Sequence, residues 1–153
     1  MNRGVKTLLL AVVVLLVSVS SHAGVLGGLQ LGARAGSYTD GDNFFLGVDA
    51  KFQIPVFSAN PSIEYVFIDG GDLMTFNADV LMSVLKLPLV SGFLGGGIGL
   101  MYFSPDQGDS ATDPLINVIA GAELGVVLNP YLMLKWVFAD QYDGFVVGIG
   151  VRF

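Results

Sequence analysis

From Leu29 onward the chain alternates apolar and polar or small side chains at every second position, the period that predicts strands rather than helices. Leu29, Leu31, Ala33 and Ala35 share one parity, and Gln30, Gly32, Arg34, Gly36 and Tyr38 the other. After the polar turn Thr39 to Asn43, Phe44, Leu46, Val48, Ala50, Phe52 and Ile54 alternate with Phe45, Gly47, Asp49, Lys51 and Gln53. Pro55 to Asn60 is expected to turn the chain into a third strand beginning at Pro61, where Ile63, Tyr65 and Phe67 oppose Glu64, Val66 and Ile68. Asp69 to Asp72 is a hairpin signal, followed by Phe76, Ala78, Val80, Met82 and Val84 against Thr75, Asn77, Asp79, Leu81 and Ser83.

Leu85 to Ser91 reads as the next turn. A fifth strand then sets Leu94, Ile98, Leu100 and Tyr102 opposite Gly95, Gly97, Gly99 and Met101. Ser104 to Pro114 is predicted to be the longest polar loop. Beyond it Ile116, Val118, Ala120, Ala122, Leu124 and Val126 oppose Asn117, Gly121, Glu123 and Gly125. The turn Asn129-Pro130 leads to Leu132, Leu134, Trp136 and Phe138 against Met133, Lys135 and Val137, and Asp140 to Asp143 leads to a closing strand. Eight strands joined by hairpins predict an all-β, antiparallel, up-and-down barrel, because an even count closes the sheet on itself.

The apolar parity is too continuous to face water, so it is expected to face lipid, with the charged parity turned inward. A soluble ligand-binding cup would reverse the two faces. Leu87 to Phe103 is the nearest approach to a helical span, but Pro88 and Gly92, Gly95, Gly96, Gly97 and Gly99 disfavour a helix there.

The beginning of the chain follows another logic. Arg3 and Lys6, the apolar run Leu8 to Val17 and the small residues Ser21-His22-Ala23 predict a cleaved secretory signal peptide over residues 1–23, leaving 24–153 as one barrel domain. Without Arg3 and Lys6 the 7 basic residues become 5 against 13 acidic ones, so the formal charge moves from -6 to -8 and nucleic acid is not an expected partner. The absence of cysteine excludes thiol chemistry and suits export through an oxidising compartment.

The last strand, Phe145 to Phe153, would turn Phe145, Val147, Ile149, Val151 and Phe153 to lipid and Gly148, Gly150 and Arg152 inward. With the leader, the eight strands and the terminal aromatic residue, the chain resembles the small eight-stranded outer-membrane barrels of the OmpA/OmpX and opacity-protein type. The resemblance implies a bacterial outer-membrane location, contact with outer-membrane lipid and lipopolysaccharide, and Phe153 as the signal read by the outer-membrane assembly machinery. Members that act as adhesins or phage receptors usually carry long outer loops, whereas here only Ser104 to Pro114 is expected to have any length.

The inward charges are Arg34, Lys51, Lys135 and Arg152 against Asp49, Glu64, Asp79 and Glu123, four of each sign. Buried charges need partners, so this balance predicts an ion-paired, side-chain-filled lumen, with glycines such as Gly32, Gly97 and Gly150 making room for the long side chains. The expected role is a structural envelope component rather than a wide pore; a narrow conduit for ions or small molecules is the alternative.

Nine further acids, Asp40, Asp42, Asp69, Asp72, Asp106, Asp109, Asp113, Asp140 and Asp143, fall in alternate connections and hence at one end, leaving Lys86 at the other. Asp106, Asp109 and Asp113 are candidate divalent-cation ligands, although Asp-Gly turn chemistry also accounts for acids there. Aromatic residues suggest two girdles: Tyr38, Phe44, Tyr102, Phe103, Phe138, Tyr142 and Phe145 at one end, and Phe52, Phe93, Tyr131 and Phe153 at the other.

Some barrels of this size modify lipids. Here the one histidine, His22, lies in the predicted leader, which removes the usual general base, so no enzyme and no cofactor are expected.

Overall fold

The computed structural model describes residues 28–140 and 142–153. The predicted signal peptide, residues 1–23, lies outside the described residues. Among those described, eight antiparallel strands close into a barrel in which every strand pairs with its sequence neighbours and β8 returns to β1. They are β1 (Leu29–Tyr38), β2 (Asn43–Gln53), β3 (Ser58–Ile68), β4 (Gly71–Lys86), β5 (Val90–Pro105), β6 (Ala111–Leu124), β7 (Pro130–Ala139) and β8 (Tyr142–Arg152). The closing seam sets Gly32 opposite Arg152 and Tyr38 opposite Val146. Closure leaves no sheet edge unpaired. Among the described residues no helix is long and apolar enough to cross a membrane.

The period-two pattern resolves into two faces. Leu46, Phe76, Leu94, Ile98, Ile116, Leu134 and Ile149 are exposed outward, whereas Arg34, Asp49, Glu64, Asp79, Lys135 and Arg152 are buried within. The lumen also holds an apolar set that includes Phe45, Val66, Leu81, Phe93, Leu115, Ile119, Met133, Val137 and Val146. The interior is therefore packed with both charged and apolar side chains.

Several boundaries depart from the sequence expectations. β3 begins at Ser58, so Pro61 lies inside a strand, opposite Ala78 of β4. Proline has no N–H for the ladder to β2, and the Asn60 side-chain amide donates instead to the Ala50 carbonyl at 2.8 Å. The neighbouring amide thus restores a bond that the ring removes.

The long loop expected from Ser104 to Pro114 is mostly sheet. β5 runs to Pro105 and β6 starts at Ala111, so only residues 106–110 connect them. Asp113 pairs opposite Met101. Asp72 and Asp143 likewise lie within strands, as the second residues of β4 and β8. At the opposite end β6 stops at Leu124, which removes Gly125 and Val126 from the predicted strand.

The turn expected from Leu85 to Ser91 shrinks to residues 87–89, because β4 continues through a register shift between Ser83 and Leu85. The two girdles also need correction. Tyr38, Phe93 and Tyr131 point into the lumen, since each takes the inward parity of its strand. Trp136, Phe138 and Phe145 do form an outward aromatic group, stacked or edge-on.

Candidate functional site: the charged lumen

Alternation brings seven of the eight predicted charges into two ion-paired groups. In the first, Glu64 of β3 is the common acceptor. Arg34 Nη2 reaches its Oε1 at 2.8 Å, and Lys135 Nζ lies 2.8 Å from both carboxylate oxygens. The Tyr38 hydroxyl and the Thr75 hydroxyl donate to Oε2 at 2.7 and 2.9 Å. Arg34 also donates to Ser62. These groups come from β1, β3, β4 and β7, so the cluster ties strands on different sides of the barrel.

The second group lies nearer the end that carries Leu29 and Phe153, called here the terminal end. Arg152 donates through Nε to Asp49 Oδ2 at 2.9 Å and through Nη1 to Glu123 Oε2 at 2.7 Å. Lys51 Nζ donates to the same Glu123 at 2.8 and 3.1 Å. Asp49 gains further bonds from Asn60 Nδ2 at 2.9 Å and the Tyr131 hydroxyl at 3.2 Å. The Arg152 guanidinium centre stands 3.9 Å from the Tyr131 ring centroid, a cation–π contact that lowers the cost of holding it away from water.

Backbone spacing makes these approaches possible. A Cβ on Gly32 would strike the Asp49 carboxylate and come within 3.0 Å of Arg152 Cγ. One on Gly47 would come within 3.1 Å of Glu64 Cγ. Glycine at these inward positions is thus the room in which the ion pairs sit.

Asp79 breaks the expected pattern of four matched pairs. It is buried, yet among the described residues neither of its carboxylate oxygens has a hydrogen-bond partner. Its carboxylate lies over Gly97, which pairs opposite Asn117, and the Asn117 amide donates to Asn77 at 3.2 Å. The reason is geometric: Glu64 already holds both Arg34 and Lys135. Balance of charge along the sequence does not assign partners.

The sequence missed much of the polar support. Asn60, assigned to a turn, bonds both Asp49 and the β2 backbone. Tyr38 and Tyr131, read as girdle residues, are lumen donors. Their inward parity was the signal that could have found them. The divalent-cation candidates do not assemble: Asp106 and Asp109 lie in the connection, Asp113 lies in β6, and among the described residues no three metal-ligating side chains converge. Phe153 closes the seam, exchanging backbone hydrogen bonds with Leu31 at 2.9 and 3.0 Å.

No protein-family model matches the sequence, and a search of curated proteins finds no match. Solved structures do match in fold. Neisserial surface protein A aligns with a TM-score of 0.68 and 14% identity, over 82% of this chain and 96% of that one. The N-terminal β-barrel domain of Pseudomonas aeruginosa OprF aligns with a TM-score of 0.67 and 14% identity, over 82% of this chain and 95% of that one. The outer membrane enzyme PagL aligns with a TM-score of 0.51 and 14% identity, over 80% of this chain and 97% of that one. The chain therefore has the fold of the small eight-stranded outer-membrane barrels, as the sequence resemblance implied.

Proposed function

We propose that this chain is an exported bacterial outer-membrane barrel, with residues 1–23 as a cleaved leader and 24–153 as the membrane domain. One observation carries the reading. The closed wall turns a continuous apolar face outward and buries its charges inside, an arrangement that lipid rewards and water penalises.

The lumen is occupied by ion pairs and apolar side chains, which supports a structural envelope role rather than a wide pore. The outward face meets outer-membrane lipid and, at the acidic end, lipopolysaccharide. Phe153, at the end of the closing strand, is the element offered to the assembly machinery. The likeness to PagL extends to the fold. With His22 in the leader, the mature chain brings no histidine to act as a general base, and we read it as a non-enzymatic component.

Membrane fractionation with heat-modifiable electrophoretic mobility tests the location, and planar-bilayer recording tests the lumen. The expected results are a membrane-extracted, heat-modifiable band and no steady unitary current. A freely soluble mature chain overturns the first reading, and sustained unitary conductance the second.

A further inference from the structure

The terminal end has a chemistry that the envelope role does not use. The register shift between Ser83 and Leu85 makes Lys86 the partner of Ser91. An unbroken register would have set Lys86 opposite Val90, on the outward parity of Met82 and Val84. The bulge puts Lys86, an exposed residue, on the inward side of the wall with Ser91, and bulges at barrel rims commonly re-aim a side chain in this way. Lys86 then lines a cavity of about 90 Å³ in the mouth of the barrel with Lys51, Ser58, Ser83, Ser91 and Glu123.

Charge in this mouth is not balanced. Glu123 already accepts from both Lys51 and Arg152, and Arg152 in turn satisfies Asp49. Among the described residues Lys86 has no ion-pair partner. The connections at this end, residues 54–57, 87–89 and 125–129, contain no acid. They are instead apolar at their tips: Val56 is 73% exposed, Leu89 62% and Val127 89%. Connections at the opposite end carry Asp and Gly, as turns facing water ordinarily do.

A cationic, hydroxyl-lined recess ringed by apolar turns matches a molecule with an anionic head and a hydrocarbon body. We propose that the terminal-end mouth binds the phosphate headgroup of an anionic phospholipid, with Lys86 and the serines holding the phosphate and the apolar turns lying against the acyl chains. The recess has room for one phosphate group. Clusters of basic side chains at a membrane surface recognise lipid phosphates by the same physics. This placement rests on the membrane reading above, with the terminal end at the inner leaflet.

The test titrates phosphatidylglycerol and phosphatidylcholine separately into detergent-solubilised full barrel and counts retained lipid by native mass spectrometry. Phosphatidylglycerol is expected to be retained preferentially. Lys86→Gln should weaken its retention about fivefold, since one Lys near a phosphate contributes about that factor, and Lys86→Arg should restore it. Val127→Ser with Leu89→Ser should weaken it too.

Equal retention of the two lipids, or no effect of Lys86→Gln, overturns the proposal. Inorganic phosphate that binds as tightly as phosphatidylglycerol, or retention unmoved by the turn variants, overturns the lipid as the ligand. Association of two chains through these turns, with no lipid retained, overturns it as well. Heat-modifiable mobility of the same samples reports separately on the barrel reading.

Discussion

Two carboxylates in this lumen each hold two cations, yet they stand in different surroundings. The side chain of Glu64 is 0% exposed and so is that of its partner Lys135, whereas Lys51 and Glu123 are 12% and 14% exposed at the terminal mouth. Glu64 compensates for its enclosure with two further donors, the hydroxyls of Tyr38 and Thr75. Glu123 accepts from its two cations alone among the described side chains and leaves the rest of its solvation to the mouth. An enclosed charge must be solvated by the protein; one at an opening is partly solvated by water. The same residue types therefore make a structural keystone in one place and a modest contact in the other.

The comparison is most severely strained by Glu64→Gln, which leaves Arg34 and Lys135 enclosed without their anion. We expect a loss of about 3–5 kcal/mol, the cost of stranding buried charge. Urea unfolding in lipid vesicles, followed through Trp136 on the outward face, measures it; a loss as small as that at the mouth would erase the distinction. Lys51→Gln should cost under about 1 kcal/mol in the same assay, because Arg152 still neutralises Glu123 and the mouth admits water. A larger cost would place the two groups in one class.

Asp79→Asn sharpens the comparison from the other side. Among the described residues its oxygens accept no hydrogen bond, so stability should stay level or rise by about 1 kcal/mol. A marked loss would assign Asp79 a stabilising bond, and the two-group description would have to include it.

Much of this architecture was legible in advance, for a specific reason. Period-two alternation runs along the strands with one interruption, in β4, and a one-residue slip would send Arg34 or Glu64 into lipid, so parity marked the eight lumen charges as inward. Lys86, expected in a turn, lies instead at the end of β4, which continues to it through the bulge between Ser83 and Leu85. Pro61 misled for a related reason. A missing N–H argues for a strand beginning there, and only the folded ladder reveals that Asn60 supplies the bond. The loop predicted at Ser104 to Pro114 failed because turn-like composition does not forbid pairing when β5 and β6 are both long.

Alternation and strand order along the chain predict an eight-stranded barrel, the inward side of its eight lumen charges, and the end that gathers the acids. Those properties follow from local alternation and from the order of strands along the chain. Tertiary structure alone decided who meets whom. Arg34 and Lys135 converge on Glu64 from β1 and β7, Arg152 bridges Asp49 and Glu123, and among the described residues Asp79 has no hydrogen-bond partner. Pairing across a lumen depends on register, stagger and side-chain reach between strands distant in sequence, and parity carries none of that information.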